Sequence, residues 1–180
     1  MGAAVGYAAA MILRPATPDD APALAQLGAA SFCDAFAHLY SAKDLDAFLQ
    51  QVYSVPAVAE EIASEECRHM LADEDGALIG YCKMRYPSWY AQHSDAANPI
   101  ALGQLYLAGG QTGKGIGAAL MEWAIDYART LGCDAIQLSV YAENFGAQRF
   151  YQRYGFAKIA DITFEVGDQI DPEFLYELRL

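Results

Sequence analysis

The sequence predicts a mixed α/β fold, on three observations. Helical spacing fills the first third, a two-strand hairpin signal follows at Asp75-Gly76, and from Ile100 onward strand and helix patterns alternate. With 180 residues, 54% of them apolar, there is chain enough for one domain with a substantial core. Aromatic residues make up 12%, which argues against disorder. Residues 1–180 are therefore read as a single domain. Met11-Ile12-Leu13-Arg14 looks like a natural first strand, so residues 1–10 (MGAAVGYAAA) are read as an N-terminal extension.

The elements follow in order. Ile12 and Leu13 suggest a short strand, and Thr17-Pro18-Asp19-Asp20 supplies a cap and an acidic first turn. Ala23, Leu24, Leu27, Ala30 and Ser31 continue at helical spacing toward Phe32 and Phe36. Ser41-x-x-Asp44 opens a second helix with Leu45, Phe48, Leu49 and Val52 inward. Pro56 begins a third, from Val58 to Ser64, with Glu60 and Glu61 outward. Cys67 to Ala72 and Ala77 to Tyr86 read as hairpin strands. Pro87 to Pro99 reads as a loop, and Ile100 to Leu107 as a strand. A helix then carries Ile116, Leu120, Trp123, Tyr127 and Leu131 on one face. Ala135 to Val140 is a buried-type strand, and Asn144 to Tyr154 a helix ended by Gly155. Phe156 to Phe164 and Phe174 to Leu180 close the chain as strands.

Charge narrows the function classes. The net charge is −12, and residues 1–75 carry −9 of it. Such a chain is a poor nucleic-acid ligand, because neutralising phosphates supplies most of that affinity. It attracts cationic small molecules at long range, although acidic surfaces also serve solubility alone. No apolar run reaches the length of a membrane-spanning helix, and the N-terminus lacks the basic start of a signal peptide. Gly6 stands where a myristoylation signal needs Ser or Thr. Cys33, Cys67, Cys82 and Cys133 have neither C-x-x-C nor zinc spacing, so no metal is expected and a reducing cytoplasm suits them. A homodimer is left open.

The chemistry concentrates at Leu105 to Leu120, LYLAGGQTGKGIGAAL. An apolar strand runs into a turn carrying Gly113, Gly115 and Gly117, and a helix follows. A helix start has unpartnered N–H groups and partial positive charge, and glycines let the backbone approach an anion closely. An ordinary strand-to-helix turn needs fewer glycines. A nucleoside-triphosphate loop fails, with Ala108 at its first glycine and Gly115 at its magnesium-binding hydroxyl. A dinucleotide fingerprint fits Gly113, Gly115 and Ala118, but Asp134 begins the next strand where the acid should end it.

The stretch resembles the GNAT superfamily of acetyl-CoA-dependent N-acetyltransferases. Leu105-Tyr106-Leu107 matches the family's L-Y-V strand, and Thr112-Gly113-Lys114-Gly115-Ile116-Gly117 its [QR]-x-x-G-x-[GA] loop, with Thr112 replacing Gln or Arg. Asn144-x-x-Ala147-x-x-Phe150-Tyr151-x-x-x-Gly155-Phe156 is similar to its second signature. The resemblance implies a GNAT fold: a central, mostly antiparallel twisted sheet with a splayed parallel pair at the acetyl-CoA site, flanked by helices. It implies acetyl-CoA as co-substrate and direct transfer to an amine. The backbone of Gly113 to Gly117 would hold the pyrophosphate, and that of Leu105 to Leu107 the pantetheine arm, which Asn144 would contact. Tyr151 would protonate the departing sulfur.

Each assignment has a plainer rival. Asn144 is also a helix N-cap, and Tyr151 also belongs to a buried helix stripe with Ala147, Phe150 and Tyr154. The base is open: relatives carry a carboxylate about four residues before L-Y-V, and Ala101 stands there. That leaves Tyr106, Glu143 or a water relay. Ser31 to Ser41 and Asp44-Leu45-x-x-Phe48-Leu49 are similar to the polyamine (spermidine/spermine) branch of the family. Phe32, Asp34, His38 and Tyr40 are the acceptor candidates this implies, with a surface or core histidine as the alternative for His38. The expected partner is thus a small cationic amine, with protein N-termini, lysines, other small molecules or a non-catalytic CoA-binding module as rivals.

Overall fold

A computed structural model describes residues 10–180; the rest of the proposed extension lies outside the described residues. In chain order the elements are β1 (Ile12–Pro15), α1 (Ala21–Phe36), α2 (Ala42–Tyr53), α3 (Val55–Ala63), β2 (Cys67–Glu74) and β3 (Ala77–Arg85). Then come β4 (Pro99–Leu107), α4 (Ile116–Thr130), β5 (Ala135–Tyr141), α5 (Phe145–Arg153), β6 (Ala157–Val166) and β7 (Gln169–Arg179). The strands form one sheet in the order β1-β2-β3-β4-β5-β7-β6. Every neighbouring pair is antiparallel except β4–β5.

Local chemistry sets the boundaries. The Ser41 hydroxyl accepts the Asp44 N–H at 3.1 Å, Ser54 accepts that of Ala57 at 3.4 Å, and Asn144 Oδ1 accepts that of Ala147 at 3.1 Å. Each satisfies a donor that the helix start leaves free. Arg14 of β1 bridges Asp20, before α1, and Asp73 of β2, tying the first strand to the sheet edge.

The two faces of the sheet bury different groups. One face carries α4 and the main core, including Leu102, Leu120, Met121, Ile136, Leu138 and Tyr151. The other carries α1–α3, through a cluster on Leu24, Val58, Leu71 and Tyr81 and an aromatic one on Phe32 and Tyr53. Small side chains set how α4 sits. Met121, Ala124 and Ala128 join Ile116 and Leu120 inward, while Trp123 and Tyr127 stack half-buried and Leu131 is exposed. The inward stripe is thus turned from the expected one, because two alanines let the helix approach the sheet more closely than a tryptophan and a tyrosine would.

Three further expectations are corrected. Glu60 is exposed, but Glu61 turns inward, its carboxylate 2.9 Å from Lys83 Nζ and 3.5 Å from His69. Lys83 and His69 are buried under α3, and a buried cation requires a counter-charge. The 87–99 segment contains a helical turn at Ala91–His93 and is anchored by Ser88, whose hydroxyl donates to Gln137 Oε1 at 2.6 Å. The last strand begins at Gln169 rather than Phe174, so Glu173 lies within the sheet, opposite Tyr141.

Candidate active site

The parallel pair is where the sheet opens. β4 and β5 are paired only from Pro99–Ala135 to Ala101–Gln137, and beyond that the strands part. Two devices shape the gap. The β3–β4 register slips at Gly103, which has no partner between Lys83–Gln104 and Met84–Leu102. This bulge reverses the alternation, so Leu105 and Leu107 join the main core while Gln104 and Tyr106 turn to the opposite face. The Ala108 N–H donates to the Ile79 carbonyl, so Tyr106 is in the hydrogen-bonded phase with β3. The polar backbone of Leu105 and Leu107 therefore faces the parted side.

A cleft of about 570 Å³ occupies the gap and is lined from both faces of the sheet. At one end stand Thr112, Gly117, Asn144, Gly146, Ala147, Phe150 and Tyr151. At the other, Phe36, Phe48, Tyr53, Tyr106, Tyr141 and Phe164 form aromatic walls around Glu173. Trp89, Tyr90 and Lys83 also border it, with the Lys83 charge held by Glu61.

Gly115 is the N-cap of α4, at φ +83°, and no side chain caps the helix. Ala119 N–H is the first to find an intrahelical carbonyl, that of Gly115, which leaves the N–H groups of Ile116, Gly117 and Ala118 as free donors. Serine or asparagine closes the starts of α2, α3 and α5; this one stays open beside the cleft. The Ile116 side chain is core. Gly113 and Lys114 are exposed in the turn, with Lys114 Nζ on Gln111 Oε1 at 3.0 Å. The residues present fit acetyl-CoA: open donors for phosphate, the outward-facing backbone of Leu105 and the Leu107 N–H for an amide-bearing arm (the Leu107 carbonyl accepts from the Ser31 hydroxyl at 3.2 Å), and an apolar passage for a thioester.

Tyr151 is buried beneath Phe150 and Phe156 and also lines the cleft; among the described residues its hydroxyl has no hydrogen-bond partner. Burial holds its pKa well above the ordinary phenol value, so the hydroxyl stays protonated at neutral pH and can donate a hydrogen bond. Asn144 borders the cleft while its Oδ1 caps α5, so both roles weighed from sequence share one side chain. Burial pushes the Tyr106 pKa up to about 12, and the neighbouring Tyr53 hydroxyl pulls in the opposite sense.

The remaining candidates are not brought together. Glu143 is exposed, reaches only the Tyr141 hydroxyl at 3.4 Å, and does not line the cleft. Phe32 is core, packed on Phe36, Phe48 and Tyr53. Asp34 and His38 are exposed outside the cleft, and Tyr40 donates to Asp171 Oδ2 at 2.6 Å. Sequence reasoning missed Glu173, although Pro172-Glu173-Phe174 adjoined the expected strand and extending it by one residue would have included the carboxylate. Asp134, the acid a dinucleotide site would use, accepts the backbone N–H groups of Ala97 and Asn98 at 2.7 and 2.9 Å.

A sheet parted beside an uncapped helix start, with a passage running from one face to the other, makes a cleft that can hold an anionic, extended ligand. The family model described as "Acetyltransferase (GNAT) family" matches residues 31–156. The chain belongs to that family and is an acetyl-CoA-dependent N-acetyltransferase. It is 25% identical over 161 residues to an uncharacterized N-acetyltransferase in the pepI 3' region of Lactobacillus delbrueckii subsp. lactis, covering 89% of this chain and 92% of that one. A streptothricin acetyltransferase of Streptomyces lavendulae is 35% identical over 83 residues, covering 46% of this chain and 40% of its own. In fold it is similar to the crystal structure of PaiA N-acetyltransferase from Thermoplasma acidophilum in complex with coenzyme A. The TM-score is 0.76 at 22% identity, covering 95% of this chain and 99% of the other. Among the described residues no helix is long and apolar enough to cross a membrane, and no group of His, Cys, Asp and Glu is placed to hold a metal ion.

Proposed function

We propose that the protein, acting as one domain over residues 1–180, transfers the acetyl group of acetyl-CoA to the primary amine of a small cationic acceptor of the polyamine kind. The observation that carries this is the far end of the cleft, where aromatic walls surround a carboxylate. Aromatic faces attract cations, and a carboxylate within them selects an ammonium over a neutral or anionic acceptor. The surrounding charge of −12 adds long-range attraction. The free N–H groups at Ile116 to Ala118, with Gly113 to Gly117 and Lys114 about them, receive the pyrophosphate, and Thr112 stands at their edge. The outward-facing backbone of Leu105 and the N–H of Leu107 pair with the pantetheine arm, with Asn144 beside it.

The bound co-substrate supplies an activated acetyl thioester. The apolar walls exclude water from it, which protects the thioester and strengthens every polar contact inside. The Tyr151 hydroxyl keeps its proton and donates a hydrogen bond to the departing sulfur. A thiol of pKa about 8.5 is a stronger acid than this phenol, so Tyr151 stabilises the developing thiolate and the proton that completes the thiol comes from elsewhere.

A second reading, acetylation of an amine-bearing antibiotic, is favoured by the likeness to the streptothricin acetyltransferase. Both readings are tested by incubating the protein with acetyl-CoA and a panel of spermidine, spermine, streptothricin and an N-terminal peptide, with products read by mass spectrometry. Acetylated spermidine or spermine is the expected product, and acetylation of the peptide alone would refute a small-molecule acceptor. The cytoplasm is the compartment this reading assigns, consistent with four free cysteines.

A further inference from the structure

An ammonium bound among aromatic rings needs a counter-charge, and an amine must shed a proton before it can attack. The strand that carries the base in relatives offers neither here, since Ala101 is fully buried at the point where β4 and β5 still pair. Of the described residues lining the cleft, Glu173 alone carries a carboxylate.

The groups around it leave it without a protein cation. Tyr141 faces it from β5, Tyr106 from β4 and Tyr40 from the turn after α1, all neutral phenols at pH 7. Asp171, on its own strand, is engaged by the Tyr40 hydroxyl. The Ser139 hydroxyl lies near enough to favour the Glu173 carboxylate, and Lys83 is occupied by Glu61. Burial, opposed by the Ser139 hydroxyl and aided by Asp171, leaves the Glu173 carboxyl above the ordinary range, which suits a group that must both accept and release a proton. A half-buried carboxylate with no cation of its own is a vacancy for a ligand's charge.

Tyr106 is the rival base on β4. Beside it the Tyr81 hydroxyl donates to Gln104 Oε1 at 2.9 Å, and Gln104 Nε2 donates to the Tyr53 oxygen at 3.1 Å. Burial pushes the Tyr106 phenol up to about 12, so it is not ionised at neutral pH and is a poor base there.

We propose that Glu173 is the catalytic base: its carboxylate receives the acceptor's ammonium and takes one proton from it. The inference rests on the acetyl-transfer reading above. The freed nitrogen lone pair forms a bond to the thioester carbonyl carbon, and the carbon–sulfur bond breaks with its electron pair on sulfur. The second nitrogen proton leaves as the amide forms and completes the thiol, whose sulfur accepts a hydrogen bond from the Tyr151 hydroxyl. Glu173 returns its proton to solvent, so the sum is ammonium plus thioester giving amide, thiol and one proton.

The test compares Glu173→Gln and Glu173→Asp with the wild type, using acetyl-CoA and spermidine across pH 6 to 10. Glu173→Gln should lower kcat by about 100-fold or more at pH 7, the usual range for a lost general base. Acetyl-CoA affinity by calorimetry should change by less than about threefold, since Glu173 is at the other end of the cleft from the helix start. The deficit should shrink as pH rises toward the amine's own pKa of about 10, because free amine then forms without a base. Glu173→Asp should retain part of the rate. A deficit that is independent of pH, a rise in KM alone, or an unchanged rate would overturn the assignment. A wild type that fails to bind acetyl-CoA overturns the transferase reading itself, and this inference with it.

Discussion

Two glycines separate the strain of a backbone from the function of a loop. Gly76, in the β2–β3 hairpin, and Gly115, at the start of α4, both sit at φ +83°, and a Cβ built on either meets no atom within 4 Å. Alanine at each therefore incurs the same left-handed backbone strain and no clash, about 1 kcal/mol. For a chain of this length that corresponds to a fall in Tm of about 2–4 °C, equal within error for Gly76→Ala and Gly115→Ala. The two differ in their place in the fold: Gly76 turns a hairpin, and Gly115 is the N-cap of α4, adjoining the free N–H groups of Ile116 to Ala118. Calorimetric titration with acetyl-CoA should give wild-type affinity for Gly76→Ala. For Gly115→Ala it should give a loss of at least tenfold, about 1.4 kcal/mol. If the two variants lose stability equally and both keep wild-type affinity, the helix start does not hold the pyrophosphate.

Other residues carry separate expectations. Tyr151→Phe should reduce kcat by about 100-fold or more while leaving acetyl-CoA affinity unchanged, and a full rate would remove Tyr151 from the chemistry. Tyr53→Phe strips the acceptor from Gln104, and should cost about 1–3 kcal/mol in urea unfolding; a variant as stable as the wild type would show that the bond is not structural. Arg14 holds the Asp20 carboxyl down to about 2, so the pair contributes stability above the carboxyl's unfolded value, lost as pH falls through the folded one. Near-surface screening limits this to about 1 kcal/mol, seen as a decline between about pH 4 and 2 that Asp20→Asn should flatten.

The fold was legible where local rules coincide with tertiary ones. Ser41 and Asn144 cap the helices their positions suggested, and Asp75-Gly76 turns the hairpin. The glycine-turn end of the cleft was legible for the same reason, since its parts lie within Leu105 to Gly117 and Asn144 to Tyr151, two short runs. The aromatic end was not. It is assembled from α1, α2, β4, β5, β6 and β7, and its faces depend on a bulge at Gly103 that flips every later residue of β4. Phe32 has the aromatic character of a pocket residue yet lies one layer behind the wall, because Phe36 and Phe48 cover it. Glu173 has the charge of a surface residue, and only its pairing with Tyr141 places it inside.

The most direct test is a thermal-shift titration with acetyl-CoA, with NAD in parallel, followed by thiol release on adding spermidine or spermine. Saturating acetyl-CoA at about 100 times its Kd stabilises a protein that binds it by about 2.7 kcal/mol. The account predicts a shift of that order for acetyl-CoA, none for NAD, and thiol release only once the amine is present. No shift at millimolar acetyl-CoA, or protection by NAD instead, would contradict it.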